Sequence, residues 1–124
     1  MKIKIINEDF SICKVIDYTQ INLESSFCFI QKTDEENSLV CLTKDVPNNT
    51  TARDDGWVAL KIEDILNFNL VGILSKISTL LANENISIFA LSTFNTDYIL
   101  LYKQHLPLAI ETLEKNGYQI MKGE

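Results

Sequence analysis

The order of two residue periodicities between positions 57 and 121 constrains this chain more than any other feature. "WVALKIE" (57–63) has the β-branched, apolar character of a strand. In "VGILSKISTLLANEN" (71–85), Ile73, Leu74, Ile77, Leu80 and Leu81 fall at i, i+3, i+4, i+7 spacing, which predicts a helix. "ISIFALST" (86–93) and "YILLYK" (98–103) predict two strands joined by the short turn "FNTD". "LPLAIETLEKNG" (106–117) predicts a second helix. Pro107 suits its first turn, Leu106, Ala109, Ile110 and Leu113 form its apolar stripe, and Gly117 suits its C-terminal cap. "YQIM" (118–121) predicts a last short strand. The order β-α-β-β-α-β over about 65 residues implies an α+β fold of the ferredoxin-like kind. Such a fold is a four-stranded antiparallel sheet with two helices on one face. Both alternating sets of "ISIFALST" are apolar, Ile86, Ile88 and Ala90 against Phe89 and Leu91. That predicts cover on the second face as well.

The first half reads differently. "KIKII" (2–6), "FSICKVI" (10–16), "FCFIQK" (27–32) and "SLVCLT" (38–43) predict strands, and no convincing amphipathic helix precedes residue 57. "TDEEN" (33–37) reads as a charged turn, with Thr33 and Glu36 spaced as a capping box. "KDVPNNTTARDDG" (44–56) is polar, contains Pro47 and ends in Asp-Gly, which predicts a loop or linker. The expected organisation is a smaller, helix-poor β unit over 1–54 followed by a second unit over 55–124.

Several function classes are disfavoured. Eleven basic and 17 acidic residues give a net charge of −6, with no basic cluster. Nucleic acid and anionic membrane surfaces are therefore not expected partners. No apolar run approaches the ~20 residues that span a bilayer, and "MKIKIINEDF" lacks the apolar region of a signal peptide. The expected location is the cytoplasm. Cys13, Cys28 and Cys41 are 15 and 13 residues apart, matching no zinc or redox spacing, and read as small buried hydrophobes. Four glycines form no phosphate loop. His105, the single histidine, sits where the last helix begins, and Asp54-Asp55 reads as turn chemistry more than as a cation site. No nucleophile is paired with a base, so neither an enzyme nor a cofactor is expected.

One charge stands out. From Asn85 to Tyr102, Asp97 is the only ionisable acid or base. On composition it is a hairpin residue. "VGILSKISTLLANENISIFALSTFNTDYILL", flanked by "ARDDGWVALKIEDILNF", resembles the core of an ACT domain. The chain as a whole resembles a small prokaryotic family of tandem ACT-like proteins related to the cytosolic arginine sensors of the CASTOR type. That resemblance is strong over about 51–120 and weaker before it. It implies a degenerate ACT-like unit over 1–54, an ACT domain over 55–124, and a regulatory, non-catalytic module that binds a free amino acid at an ACT–ACT interface.

The resemblance also carries over a site. The backbone of Gly72, Ile73 and Leu74 matches the segment that meets the ligand carboxylate, and free N–H groups at a helix start do favour an anion. Thr93 and Phe94 match strand-end positions lining the pocket. Asp97 matches the residue that meets the α-ammonium, and Thr51 and Ala52 match a contact segment of the neighbouring unit. Leu70 stands where arginine-binding relatives carry a glutamate, which favours a smaller or more apolar ligand side chain over arginine. A homodimer and a regulated protein partner are implied too. The competing reading is a homodimeric interaction module with a vestigial pocket, since mostly apolar strands suit edge-to-edge pairing.

Overall fold

Both stripes of helical spacing become α-helices in the computed structural model, which describes residues 1–63 and 72–122. α1 spans Ile73–Ala82 and α2 spans Leu106–Lys115. Among the described residues the strands are β1 (Lys2–Val15), β2 (Cys28–Lys32), β3 (Asn37–Leu42), β4 (Thr50–Ile62), β5 (Phe89–Ser92), β6 (Asp97–Tyr102) and β7 (Gln119–Lys122). They fall into two compact units, Met1–Asn7 with Val58–Glu124, and Glu8–Trp57.

From β4 to β7 the first of these units has the expected β-α-β-β-α-β order. Its strands run β7-β1-β4-β6-β5 across the sheet. β7 pairs with β1 in parallel, from Lys2↔Gln119 to Ile5↔Lys122, so the first strand of the chain lies between the last strand and β4. β5 and β6 form an antiparallel hairpin, Phe89↔Leu100 to Ser92↔Asp97. Strand side chains alternate between faces, and Ile3, Ile5, Val58, Leu60, Ile62, Ile99 and Leu101 all join one buried cluster. Ile77 and Leu81 of α1 and Ala109 and Leu113 of α2 close that cluster. Ala59, Leu91 and Leu100, on the other alternation, are buried as well. Ala90 is exposed. α2 ends as its sequence predicts: Gly117 has φ +90°, and Tyr118 N–H donates to the Leu113 carbonyl at 3.1 Å.

In the unit Glu8–Trp57 the strand order is β2-β3-β1-β4. β1 and β3 are antiparallel, Phe10↔Leu42 to Lys14↔Ser38, and so are β2 and β3, Cys28↔Cys41 to Lys32↔Asn37. Residues 33–36 make the hairpin turn. Thr33 Oγ1 accepts from the N–H groups of Glu35 and Glu36 at 3.1 and 3.2 Å, and Thr33 N–H donates to the Glu36 carbonyl at 3.0 Å. The capping-box spacing thus serves a turn between strands and starts no helix.

Two expectations need correction. "KIKII" and "FSICKVI" are one continuous strand, because "NEDF" between them stays extended. Residues 50–56, read as loop, form the first half of β4. Thr51 to Gly56 are all exposed, so no apolar alternation marks them. Backbone pairing to β1 carries them instead. Gly56, at φ +91°, absorbs a left-handed residue inside the strand rather than ending it.

Candidate functional site

α1 begins abruptly because Gly72 takes φ +81° and ψ +9°, a conformation that costs a residue with a side chain roughly 1–2 kcal/mol. Lys76 N–H donates to the Gly72 carbonyl at 2.9 Å and closes the first turn. The helix itself offers no acceptor for the N–H groups of Ile73, Leu74 and Ser75, and no side chain caps it. These groups supply the partial positive charge of a helix N-terminus. Gly72, Ile73 and Lys76 line a cleft of about 300 Å³, completed by Met1 and by Asn116, Gly117 and Tyr118 at the end of α2. Asn116 Nδ2 donates to the Thr112 carbonyl at 2.8 Å, and burial pushes the Tyr118 phenol up from its usual range. Among the described residues the cleft therefore holds the ammonium of Lys76 beside Met1, one helix start and no carboxylate. Its chemistry suits an anionic group.

Asp97 opens β6, half-buried, opposite Ser92. Its Oδ1 accepts the Ser92 hydroxyl at 2.7 Å. A carboxylate has about four acceptor positions. The turn before it is tightly held: Thr93 N–H donates to the Thr96 carbonyl at 2.8 Å, and Thr93 Oγ1 donates to the same oxygen at 3.0 Å. Buried Thr96 donates its hydroxyl to the Ile62 carbonyl at 2.6 Å, tying the turn to the end of β4. Glu63 N–H in turn donates to the Lys2 carbonyl at 3.0 Å, and Gln119 N–H to the Met1 carbonyl at 3.0 Å. The turn and the Met1 side of the cleft thus lie at the same end of the strands in this unit.

Of the residues expected from sequence, Gly72 and Ile73 come together in the cleft. Leu74 follows them in α1, half-buried against the core. Thr93, Phe94 and Asp97 do not line that cleft. Phe94, at the turn tip, is 85% exposed. Thr51 and Ala52 are exposed on β4, where Thr51 Oγ1 donates to the Lys14 carbonyl at 3.1 Å. Leu70 lies outside the described residues. Lys76, Asn116 and Tyr118 were not anticipated. Lys76 was the legible one, because i+4 spacing puts it one turn above Gly72 on the same face.

His105 precedes α2, half-buried, with its ring 6.5 Å from that of Tyr102. Asp55 is bound up structurally. It accepts the hydroxyl of fully buried Ser11 at 2.5 Å and pairs with Arg53 at 3.1 Å. Among the described residues no cluster of His, Cys, Asp and Glu could hold a metal ion, and no helix is long and apolar enough to cross a membrane.

The fold recurs in solved structures. An Agrobacterium tumefaciens protein is 27% identical with a TM-score of 0.88, over 99% of this chain and 93% of that one. A Vibrio cholerae protein described as of unknown function and a possible transport protein is 17% identical, with a TM-score of 0.70 over 90% and 85% of the two chains. The α and β subunits of an aspartokinase share 16% identity and a TM-score of 0.63, over 93% and 96%. The last two likenesses speak for the fold alone. No curated protein sequence matches the chain. The profile of the ACT domain, a regulatory, non-catalytic module that often binds ligands, matches residues 52–115. With more than half of its length in that match, the chain belongs to the ACT domain family.

Proposed function

We propose that this protein binds a free amino acid, or a similar zwitterion, and passes the occupancy of that site to a regulated protein partner. The observation that carries the reading is the left-handed Gly72, which opens the N-terminus of α1 onto a cleft that also holds Lys76. The ligand carboxylate takes the N–H groups of Ile73 and Leu74. Asp97, at the same end of the strands, takes the α-ammonium through the acceptor capacity that Ser92 leaves. Thr93 and Phe94 meet the ligand side chain, and an apolar Leu70 in place of a glutamate favours a small or apolar one.

In this reading a second ACT unit, with Thr51 and Ala52 as its contact segment, completes the site. Residues 1–54 are then the degenerate ACT-like repeat and 55–124 the full one, in the manner of CASTOR-type tandem sensors. The working form is a homodimer. Three free cysteines fit a reducing compartment, the cytoplasm.

A thermal-shift screen against the free amino acids tests this. A ligand at 100 times its Kd adds about 2.7 kcal/mol, which is a readable shift. Asp97→Asn should remain folded and lose the shift. A flat screen at millimolar concentrations overturns the reading, and an Asn variant that still binds removes Asp97 as the ammonium partner.

A further inference from the structure

Cys13, Cys28 and Cys41 are far apart in sequence, yet they meet on one face of the unit Glu8–Trp57. Cys28 lies directly opposite Cys41 in the β2–β3 ladder. On the other side of β3, Cys41 faces Ser11 and Cys13 faces Leu39, so Cys13 is diagonal to Cys41. The three thiols pack into one apolar cluster around Leu39 and Val15. All are free; Cys13 and Cys41 are buried and Cys28 is half-buried.

Directly opposed residues of an antiparallel pair have Cα atoms about 4.5–5.5 Å apart. That lies inside the window of about 4.4–6.8 Å in which a disulfide closes without backbone movement. A diagonal pair, at about 7–8 Å, lies outside it. We propose that Cys28 and Cys41 are a reversible redox-modification site, closing a cross-strand disulfide on exposure to a small-molecule disulfide.

The chemistry needs only that oxidant. The Cys28 thiolate attacks one sulfur of RS–SR, forming Cys28–SR and expelling RS⁻. The Cys41 sulfur then attacks Cys28 Sγ, expelling the second RS⁻ and closing the protein disulfide. Two protein thiols are oxidised and one small disulfide is reduced to two thiols. The proton from Cys41 leaves on the expelled RS⁻; the hydrogen bond to Cys13 and burial hold the Cys41 thiol above its usual range, which slows this second step. Burial raises the Cys28 thiol, so the first step quickens as pH rises.

The test is incubation of the folded full-length protein with glutathione disulfide, followed by alkylation and peptide mapping. Trypsin puts the three cysteines on separate peptides, 5–14, 15–32 and 33–44. The expected result is that three alkylatable thiols fall to one, with 15–32 joined to 33–44 and the link undone by dithiothreitol. Cys13→Ser should keep the link and Cys28→Ser should lose it. Three thiols still free in the wild-type protein, glutathione retained on Cys28, or 5–14 joined to 33–44 would each overturn the proposal.

Discussion

Asp55 shows what a single residue does once its neighbours are known. Beside Asp54 and Gly56 it read as turn chemistry, because Asp-Gly is a turn signal. In the folded chain it lies in β4 and accepts from buried Ser11, whose hydroxyl also meets Thr43 Oγ1 at 2.8 Å. The Ser11 hydroxyl first, then Arg53, hold the Asp55 carboxyl below its usual 3.8. A carboxyl held low in the folded state contributes stability that is complete above the unfolded value and is lost as pH falls through the folded one. The melting-temperature advantage of wild type over Asp55→Asn should therefore shrink as pH drops from about 6 to about 2. An advantage that is constant with pH would mean that the charge at Asp55 contributes nothing. Gly72 and Lys76 were readable at this scale, since a glycine before a helical stripe and a residue four positions on need only local geometry. Tyr118 was not, because its approach to Gly72 depends on how α2 packs.

At the scale of elements, periodicity located both helices within two residues at their starts, and apolar burial explains why. Ile77, Leu81, Ala109 and Leu113 are fully buried, so their spacing had to match the sheet beneath them. The first half of β4 escaped notice for the opposite reason: its side chains face solvent, and only backbone pairing makes it a strand. The side chain of Thr96, 6% exposed, ties the β5–β6 turn to the end of β4. Thr96→Val keeps the shape but leaves the Ile62 carbonyl without that donor. It should cost about 1–3 kcal/mol in denaturant unfolding. A loss of a few tenths would show that water replaces the hydroxyl. Because this turn positions Asp97, the same variant should also weaken any amino-acid binding.

At the scale of the whole molecule, the first seven residues pack with the second half of the chain. Ile3 and Ile5 belong to the same buried cluster as α1 and α2, and β1 lies between β7 and β4. A fragment of residues 58–124, though it holds most of the family match, should fail to unfold cooperatively and should give poor amide dispersion. The full chain should do neither, and a fragment that melts like the full chain would make the first strand dispensable. By itself the sequence determined the β-α-β-β-α-β order, the core stripes and the net negative charge, because these depend on short-range spacing and composition. Only the tertiary structure decided that β7 pairs with β1, that three scattered cysteines share a face, and that Lys76 and Tyr118 meet beside Gly72. Each of these is a contact between residues distant in sequence, and strand order is set by which apolar edges bury together, a choice that local periodicity leaves open.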